Sequence, residues 1–350
     1  MAEYTYQQQI DMKNLELIRN ICNDMPDFIN RFFRGIQQTT STRSRLGYAR
    51  DIKHFFEYIV EQKQLNSMKE ITLDMLSQVD TEFIEIYMDY LQMYEKDGRI
   101  YTNQKPTIKR KLSSLSVLYK YLYKNDLITE NAFSKVDKPK LREKQIVRMD
   151  AAEVANFLDT VEYGNKLTEH QLKYHEKTKT RDLAIMSLML STGIRISECV
   201  GLDIRDVNFD DASIRIFRKG GKESIVYFSD EAAAPLAEYI EERKKIEALP
   251  GHENALFLSS QKKRINVRSV ENMVKKYAQS AVPLKHITPH KLRSTYGTSL
   301  YQETSDIYLV AEVLGHSDVN TTRKHYADIE NQRKRAARNK VTLRESDNNK

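Results

Sequence analysis

The chain is predicted to be mainly α-helical and to fold as two domains. The first is all-helical, and the second is mixed and mostly helical, with a small antiparallel β-meander. Three observations predict this. Apolar residues recur at helical spacing in segment after segment as far as Leu122, with no convincing strand between them. Strand signals gather only after Gly201, as short β-rich runs separated by turn residues. Between the halves, Asp137-Lys-Pro-Lys-Leu-Arg-Glu-Lys144 is short, charged and proline-interrupted, and reads as a linker. A chain of 350 residues is long enough for a core in each half.

In order, Ile10, Leu15, Leu17, Ile18 and Ile21 stripe a first helix that Met25-Pro26 ends, and Phe28, Ile29, Phe32, Phe33 and Ile36 stripe a second. After a polar break at 39–41, a long helix carries Ile52, Phe55, Phe56 and Ile59 on its apolar face. Arg43, Arg45 and Arg50 lie in its N-terminal turns. Asp80 is the expected N-cap of a helix through Phe83, Ile84, Tyr87 and Leu91. Gly98 to Gln104 is expected to be a loop. The next helix turns Leu112, Leu115, Leu118 and Leu122 inward and starts with Lys109, Arg110 and Lys111. Asp150 should cap a helix carrying Val154, Phe157 and Leu158, and Gly164 to Thr180 is polar and loop-like. Arg181 to Leu190 is a buried helix punctuated by Gly193. The meander follows at 206–209, 213–217 and 224–228, with turns at Asp210-Asp211 and Gly220-Gly221. Helices resume at Asp230, with a further strand expected at Ala255-Leu-Phe-Leu258. From Glu330 the chain is basic and nearly without apolar residues.

The composition, 40% hydrophobic and 30% charged, is that of a soluble globular protein. Lys and Arg outnumber Asp and Glu by 56 to 49, a net charge of +7 that modestly favours a polyanionic partner. The two basic helix starts suit contact with a DNA backbone, where Lys and Arg gain affinity by releasing condensed counterions; a solvated helix face explains them about as well. Cys22 and Cys199 are isolated, which makes neither a disulfide framework nor a zinc spacing and points to a reducing compartment. The polar N-terminus lacks the apolar stretch of a signal peptide, and Leu183 to Leu190 is too short to span a bilayer. A cytoplasmic location is expected.

Near the C-terminal end, Pro289 belongs at the first position of a helix with Thr288 as N-cap. His290 then falls in the first turn, where free N–H groups favour an anion such as a phosphate, and Arg293 lies on the same face. A metal shared by His286 and His290 fits poorly, because Pro289 separates them at a helix start and no acidic third ligand is near. His316 follows a glycine helix stop. Tyr326 is one of 20 tyrosines, with Arg323, Lys324, His325 and Asp328 around it. Lys219 stands at a hairpin tip beside Gly220-Gly221, and Arg195 follows a glycine at a helix start. Each alone has an ordinary explanation: a cap, a turn, a packed ring, a solvated charge. Asp203, Asp206, Asp210 and Asp211 are explained by caps and turns rather than by a metal pair.

Taken together, Thr192-Gly-Ile-Arg195-Ile-Ser-Glu198, Lys219-Gly-Gly-Lys222, His290-Lys-Leu-Arg293, Leu314-Gly-His316-Ser and Tyr326 resemble the tyrosine recombinase family, over about residues 41–328. The layout is most similar to the Xer recombinases; the 164–180 insertion and the extra N-terminal helices resemble the single-recombinase branch of Gram-positive bacteria. The resemblance implies an N-terminal helical extension over 1–40, a core-binding domain that holds DNA over 41–136, a linker over 137–148 and a catalytic domain over 149–328. It leaves a basic tail over 329–350 that could contact a neighbouring protomer. It further implies that Tyr326 attacks a DNA phosphodiester to form a 3′-phosphotyrosyl link. Arg195 and Arg293 would steady the phosphorane charge, His290 and His316 would assist, and Lys219 would protonate the leaving 5′-oxygen, with Lys222 as alternative if the register shifts. Glu198 would orient a neighbour. No cofactor or metal is implied. The implied partners are duplex DNA with a specific site, a homotetramer on two such sites and a septal DNA-translocase motor protein. The implied role is chromosome dimer resolution; a mobile-element integrase or a silent DNA-binding relative are the alternatives. Ser294 departs from the family pattern, standing where many relatives carry a second histidine.

Overall fold

The computed structural model describes residues 4–141, 147–218 and 221–315. The chain divides into two compact units, residues 1–144 and 145–350. No helix among the described residues is long and apolar enough to cross a membrane.

The N-terminal unit contains α1 (Tyr6–Cys22), α2 (Phe28–Gly35), α3 (Thr42–Lys63), α4 (Leu73–Ser77), α5 (Thr81–Gln92), β1 (Met93–Lys96), β2 (Arg99–Thr102) and α6 (Lys105–Lys124). The expected cap is in place, Asp80 accepting from the Phe83 N–H at 2.8 Å, and Ser41 also caps α3 by accepting from the Ser44 N–H. The leucine stripe of α6 packs with Ile52, Phe55, Phe56 and Phe32 in one core, where Leu115, Leu118 and Leu122 are fully buried. Each such side chain contributes about 1.5–3 kcal/mol by leaving water.

This unit is not all-helical, because β1 and β2 form an antiparallel hairpin where a loop over 98–104 was expected. Asp97 (φ +52°) and Gly98 (φ +70°) supply the two left-handed residues that a tight hairpin turn requires. Tyr94 and Tyr101 then pair across the strands, their rings stacked with centroids 5.4 Å apart.

The C-terminal unit contains α7 (Ala151–Tyr163), α8 (Glu169–His175), α9 (Lys179–Thr192), α10 (Ile196–Gly201), β3 (Val207–Asn208), β4 (Ser213–Phe217), β5 (Glu223–Tyr227), α11 (Asp230–Lys244), α12 (Val267–Ala281), α13 (Pro289–Thr304) and α14 (Ile307–Leu314). The strands make the expected meander, β3-β4-β5, with Ile214 opposite both Val207 and Val226. Helix α9 is the axis of the unit: it packs against α7, α11 and α13, and Ala184, Ile185, Met186, Leu188 and Met189 are all fully buried. Its first turn is held by buried Asp182, which accepts from Arg181 Nη2 (2.6 Å), the Tyr277 hydroxyl (2.9 Å) and the Thr178 hydroxyl (3.0 Å). Its other end stops at Gly193 in the left-handed conformation.

Two expectations are corrected here. The 164–180 stretch is not all loop, because Thr168 and Gln171 form a reciprocal capping box that starts α8. Ala255–Leu258 is buried but bends at Leu256 and Phe257 and makes only two isolated bridges, with Asp203 and Arg264, rather than a strand. Its backbone groups are shared between backbone and side-chain partners: Leu256 N–H donates to Leu202 O (2.9 Å) and Phe257 O accepts from Ile265 N–H (2.9 Å), while Ala255 O accepts from Arg243 Nε (2.9 Å), Leu258 O accepts from Arg181 Nη1 (2.9 Å), and Leu258 N–H donates to the Tyr239 hydroxyl (3.1 Å).

Candidate active site

Three arginines distant in the chain converge on the last carbonyls of α14. Arg195 is the N-cap residue of α10, and its Nη2 donates to Gly315 O at 3.3 Å. Arg293, buried on α13, donates from Nη2 to Leu314 O and from Nη1 to Gly193 O at 2.6 Å. It thus bridges the C-terminal ends of α9 and α14, where the helix dipoles are negative and a cation is stabilised. Arg218, the residue after β4, donates from Nη2 to Val313 O at 2.8 Å. Three successive carbonyls, 313 to 315, therefore each receive a guanidinium.

Three like charges held this closely need a counter-charge, and Glu198 provides it. Its carboxylate accepts from Arg195 Nη1 at 2.9 Å and from the Arg195 N–H at 2.7 Å. The Glu198 side chain is 5% exposed and that of Arg195 39%, so the carboxylate works from beneath while the guanidinium keeps a solvent-facing edge. Burial lowers the Arg218 pKa; Glu198 opposes that and Arg195 adds to it. The guanidinium nonetheless stays charged throughout the ordinary pH range. Arg218 Nε is buried with no acceptor among the described residues.

His290 is the second residue of α13, exposed, behind Pro289 at the first position. Thr288 occupies the N-cap position, but its side chain accepts no capping hydrogen bond from the first turn. Of the residues singled out from the sequence, Arg195, Glu198 and Arg293 are brought to one place, and His290 stands on the helix that carries Arg293. Lys219, His316, Tyr326, part of the 137–148 linker and the 329–350 tail lie outside the described residues. Arg218 was missed: an arginine at a strand end has no pattern of its own, and its partner lies 95 residues away.

In the N-terminal unit the basic candidates differ among themselves. Arg43 and Arg50 are exposed on α3, whereas Arg45 and Lys109 are half-buried. Arg110 makes a two-pronged contact with buried Asp51, with Nη2–Oδ1 at 2.9 Å, and Ser114 Oγ donates to the same carboxylate at 2.7 Å. Lys111 is 8% exposed, and burial lowers its pKa while Asp51 opposes that. Arg110, itself exposed, thus ties α6 to Asp51 of α3, and Lys111 is buried on the same helix.

Residues 147–333 match the phage integrase family, and residues 24–140 match the phage integrase SAM-like domain. The chain is 32% identical to tyrosine recombinase XerS of Streptococcus agalactiae serotype III over 348 residues, covering 92% of this chain and 97% of that one. It is 33% identical to XerS of Streptococcus uberis with the same coverage. In fold it is similar to the XerH site-specific recombinase bound to palindromic difH substrate (TM-score 0.63, 19% identity, 97% of this chain and 98% of that one). It is also similar in fold to the Tn1549 transposon integrase in complex with transposon right end DNA (TM-score 0.60, 19% identity, 87% and 98%). A match that spans the whole C-terminal site, with full-length relatives a third identical, places the chain in the phage integrase family, and it is a Xer-type tyrosine recombinase, an enzyme of DNA strand breakage and rejoining.

Proposed function

We propose that this recombinase resolves chromosome dimers by exchanging strands at a chromosomal site, with Tyr326 as nucleophile and Arg195, Arg293, His290, His316 and Lys219 as its catalytic partners. The observation that carries the reading is the convergence of Arg195 and Arg293 on the end of α14, immediately before His316 and shortly before Tyr326 in the chain. Likeness to XerS over nearly the full length of both chains supports the chromosomal role over a mobile-element one.

The chemistry follows from the residue types. The Tyr326 oxygen bonds to phosphorus, its proton passing to His290. The bond from phosphorus to the 5′-oxygen breaks, and Lys219 supplies that oxygen with a proton. The charge that develops on the non-bridging oxygens meets fixed guanidinium forks, whose orientation is set in advance. The 3′-phosphotyrosyl link conserves the bond energy, so the 5′-hydroxyl of another strand can displace the tyrosine without ATP. Residues 41–136 would hold the duplex, and exchange between two duplexes requires four protomers, one for each strand cut.

The test starts from duplexes that the protein retains in a selection from random DNA, nicked close to the bound site. A covalent protein–DNA adduct is expected on a denaturing gel. Tyr326→Phe should abolish the adduct and leave binding intact. An adduct that persists in this variant would remove Tyr326 from the role.

A further inference from the structure

The β4–β5 hairpin and the end of α14 are fastened together by Arg218, which the motifs do not single out. Its backbone belongs to the hairpin: the N–H donates to Lys222 O at 2.8 Å, and its carbonyl accepts from the Gly221 N–H at 3.1 Å. Its side chain belongs to α14, through the bond to Val313 O. The guanidinium, through Nη1 and Cζ, also fills the space that a side chain at residue 315 would need. Only glycine at 315 admits this contact, and φ of +62° is a second reason for glycine. Arg218 immediately precedes Lys219 in the chain, and Gly315 immediately precedes His316.

We propose that Arg218 is a positioning residue: it anchors the hairpin to the end of α14 and so sets Lys219 for proton delivery to the leaving 5′-oxygen, with Gly315 as the seat that admits it. This rests on the reading of Lys219 as the general acid. A lysine side chain has many rotamers. Anchoring the residue that precedes it in the chain narrows where its ammonium can reach, and a misplacement of about 1 Å in such a group can cost about 10²-fold in rate. An arginine suits the task because its planar head can lie on a glycine while one nitrogen reaches a carbonyl. Direct contact of Arg218 with the phosphate is the competing role, and it differs in kinetics.

The test uses the full-length protein and two nicked duplexes that differ in one atom. One has the ordinary scissile phosphodiester; the other has sulfur in place of the bridging 5′-oxygen. A thiol, with a pKa of about 8.5, is far more acidic than an alcohol, so a thiolate leaves without a proton from an acid. Arg218→Ala is expected to slow cleavage of the oxygen substrate about 10²-fold and to cleave the sulfur substrate at the unaltered protein's rate. Lys219→Ala should show the same pattern. Gly315→Ala should reproduce it, and the double variant Arg218→Ala/Gly315→Ala should lose less than the product of the two single losses, because the residues touch. Rescue of Lys219→Ala by sulfur without rescue of Arg218→Ala would overturn the positioning role and leave Lys219 as the acid. If Lys219→Ala itself is not rescued, the general-acid reading falls and takes this proposal with it. Should Arg218→Ala melt early or lose DNA binding, Arg218→Lys replaces it; sulfur rescue of that variant supports the proposal, and equal slowing on both substrates overturns it.

Discussion

A single buried carboxylate, Glu198, holds Arg195 by two separate bonds, one to its backbone N–H and one to its guanidinium. Removing it would leave an unpaired N–H at a helix start and a loosened side chain above it. Glu198→Ala is therefore expected to lower stability by about 1–3 kcal/mol in chemical denaturation and to slow single-turnover cleavage by about 10–10². Arg293 invites a different substitution. It reaches Gly193 O with one nitrogen and Leu314 O with the other, a span that a lysine ammonium cannot reproduce. Arg293→Lys should thus lose nearly as much as Arg293→Ala, about 10²–10³ in cleavage rate, with DNA binding retained; near-normal cleavage by the lysine variant would show that charge alone matters there. At this scale the sequence singled out Arg195, Glu198 and Arg293, and the fold brings the three to one place. The sequence was silent at Arg218, whose significance lies wholly in what a residue 95 positions away presents to it.

Long elements with strong periodicity were legible, and short ones were legible only where a cap or turn marked them. Helices α3 and α6 follow their apolar spacing, α9 follows an unbroken apolar run, and Gly193 stops α9 as its position in the sequence implies. The β1–β2 hairpin had its signal in Asp97-Gly98, but Met93 and Ile100 are exposed and the strands lack the alternation that betrays a buried face. Ala255–Leu258 looked like a strand because its residues are apolar, but only single backbone bonds tie it to its neighbours, and arginine and tyrosine side chains take the backbone groups at its two ends. The hairpin turn is open to a clean test. Nothing lies within 4 Å of a Cβ at Gly98, so Gly98→Val costs only the backbone strain of φ +70°. The expected loss is about 1–2 kcal/mol, read as faster hydrogen exchange across β1 and β2 with the helices unchanged. A second test concerns α3, where burial first, then Lys111 and Lys96, push His54 down from 6.5 to about 4. The unfolded chain therefore takes up a proton that the folded one refuses, and stability falls as pH drops from about 6.5 towards 4. His54→Phe, which cannot titrate, should flatten that decline for the amides of α3 and α5.

Across the whole molecule, a net charge of +7 says that DNA binding should weaken with salt but does not say which cations make contact. Burial sorts them. Arg43 and Arg50 are exposed and seven residues apart, on one face of α3, so both are free to meet phosphates. Arg110 and Lys111 looked equivalent to them in the sequence because a charge pattern carries no information about which way a helix faces. The first is committed to Asp51 and the second is buried beside it. The two groups should therefore fail differently. Arg43→Ala and Arg50→Ala should leave the melting temperature unchanged and lower the slope of log binding constant against log salt by about one each. Arg110→Ala should leave that slope in place and cost about 1–3 kcal/mol of stability, because it strips a buried carboxylate of its charged partner. A shallower salt slope in Arg110→Ala at unchanged stability would show that its guanidinium leaves Asp51 for DNA, and the apparent packing role would then describe only the free protein.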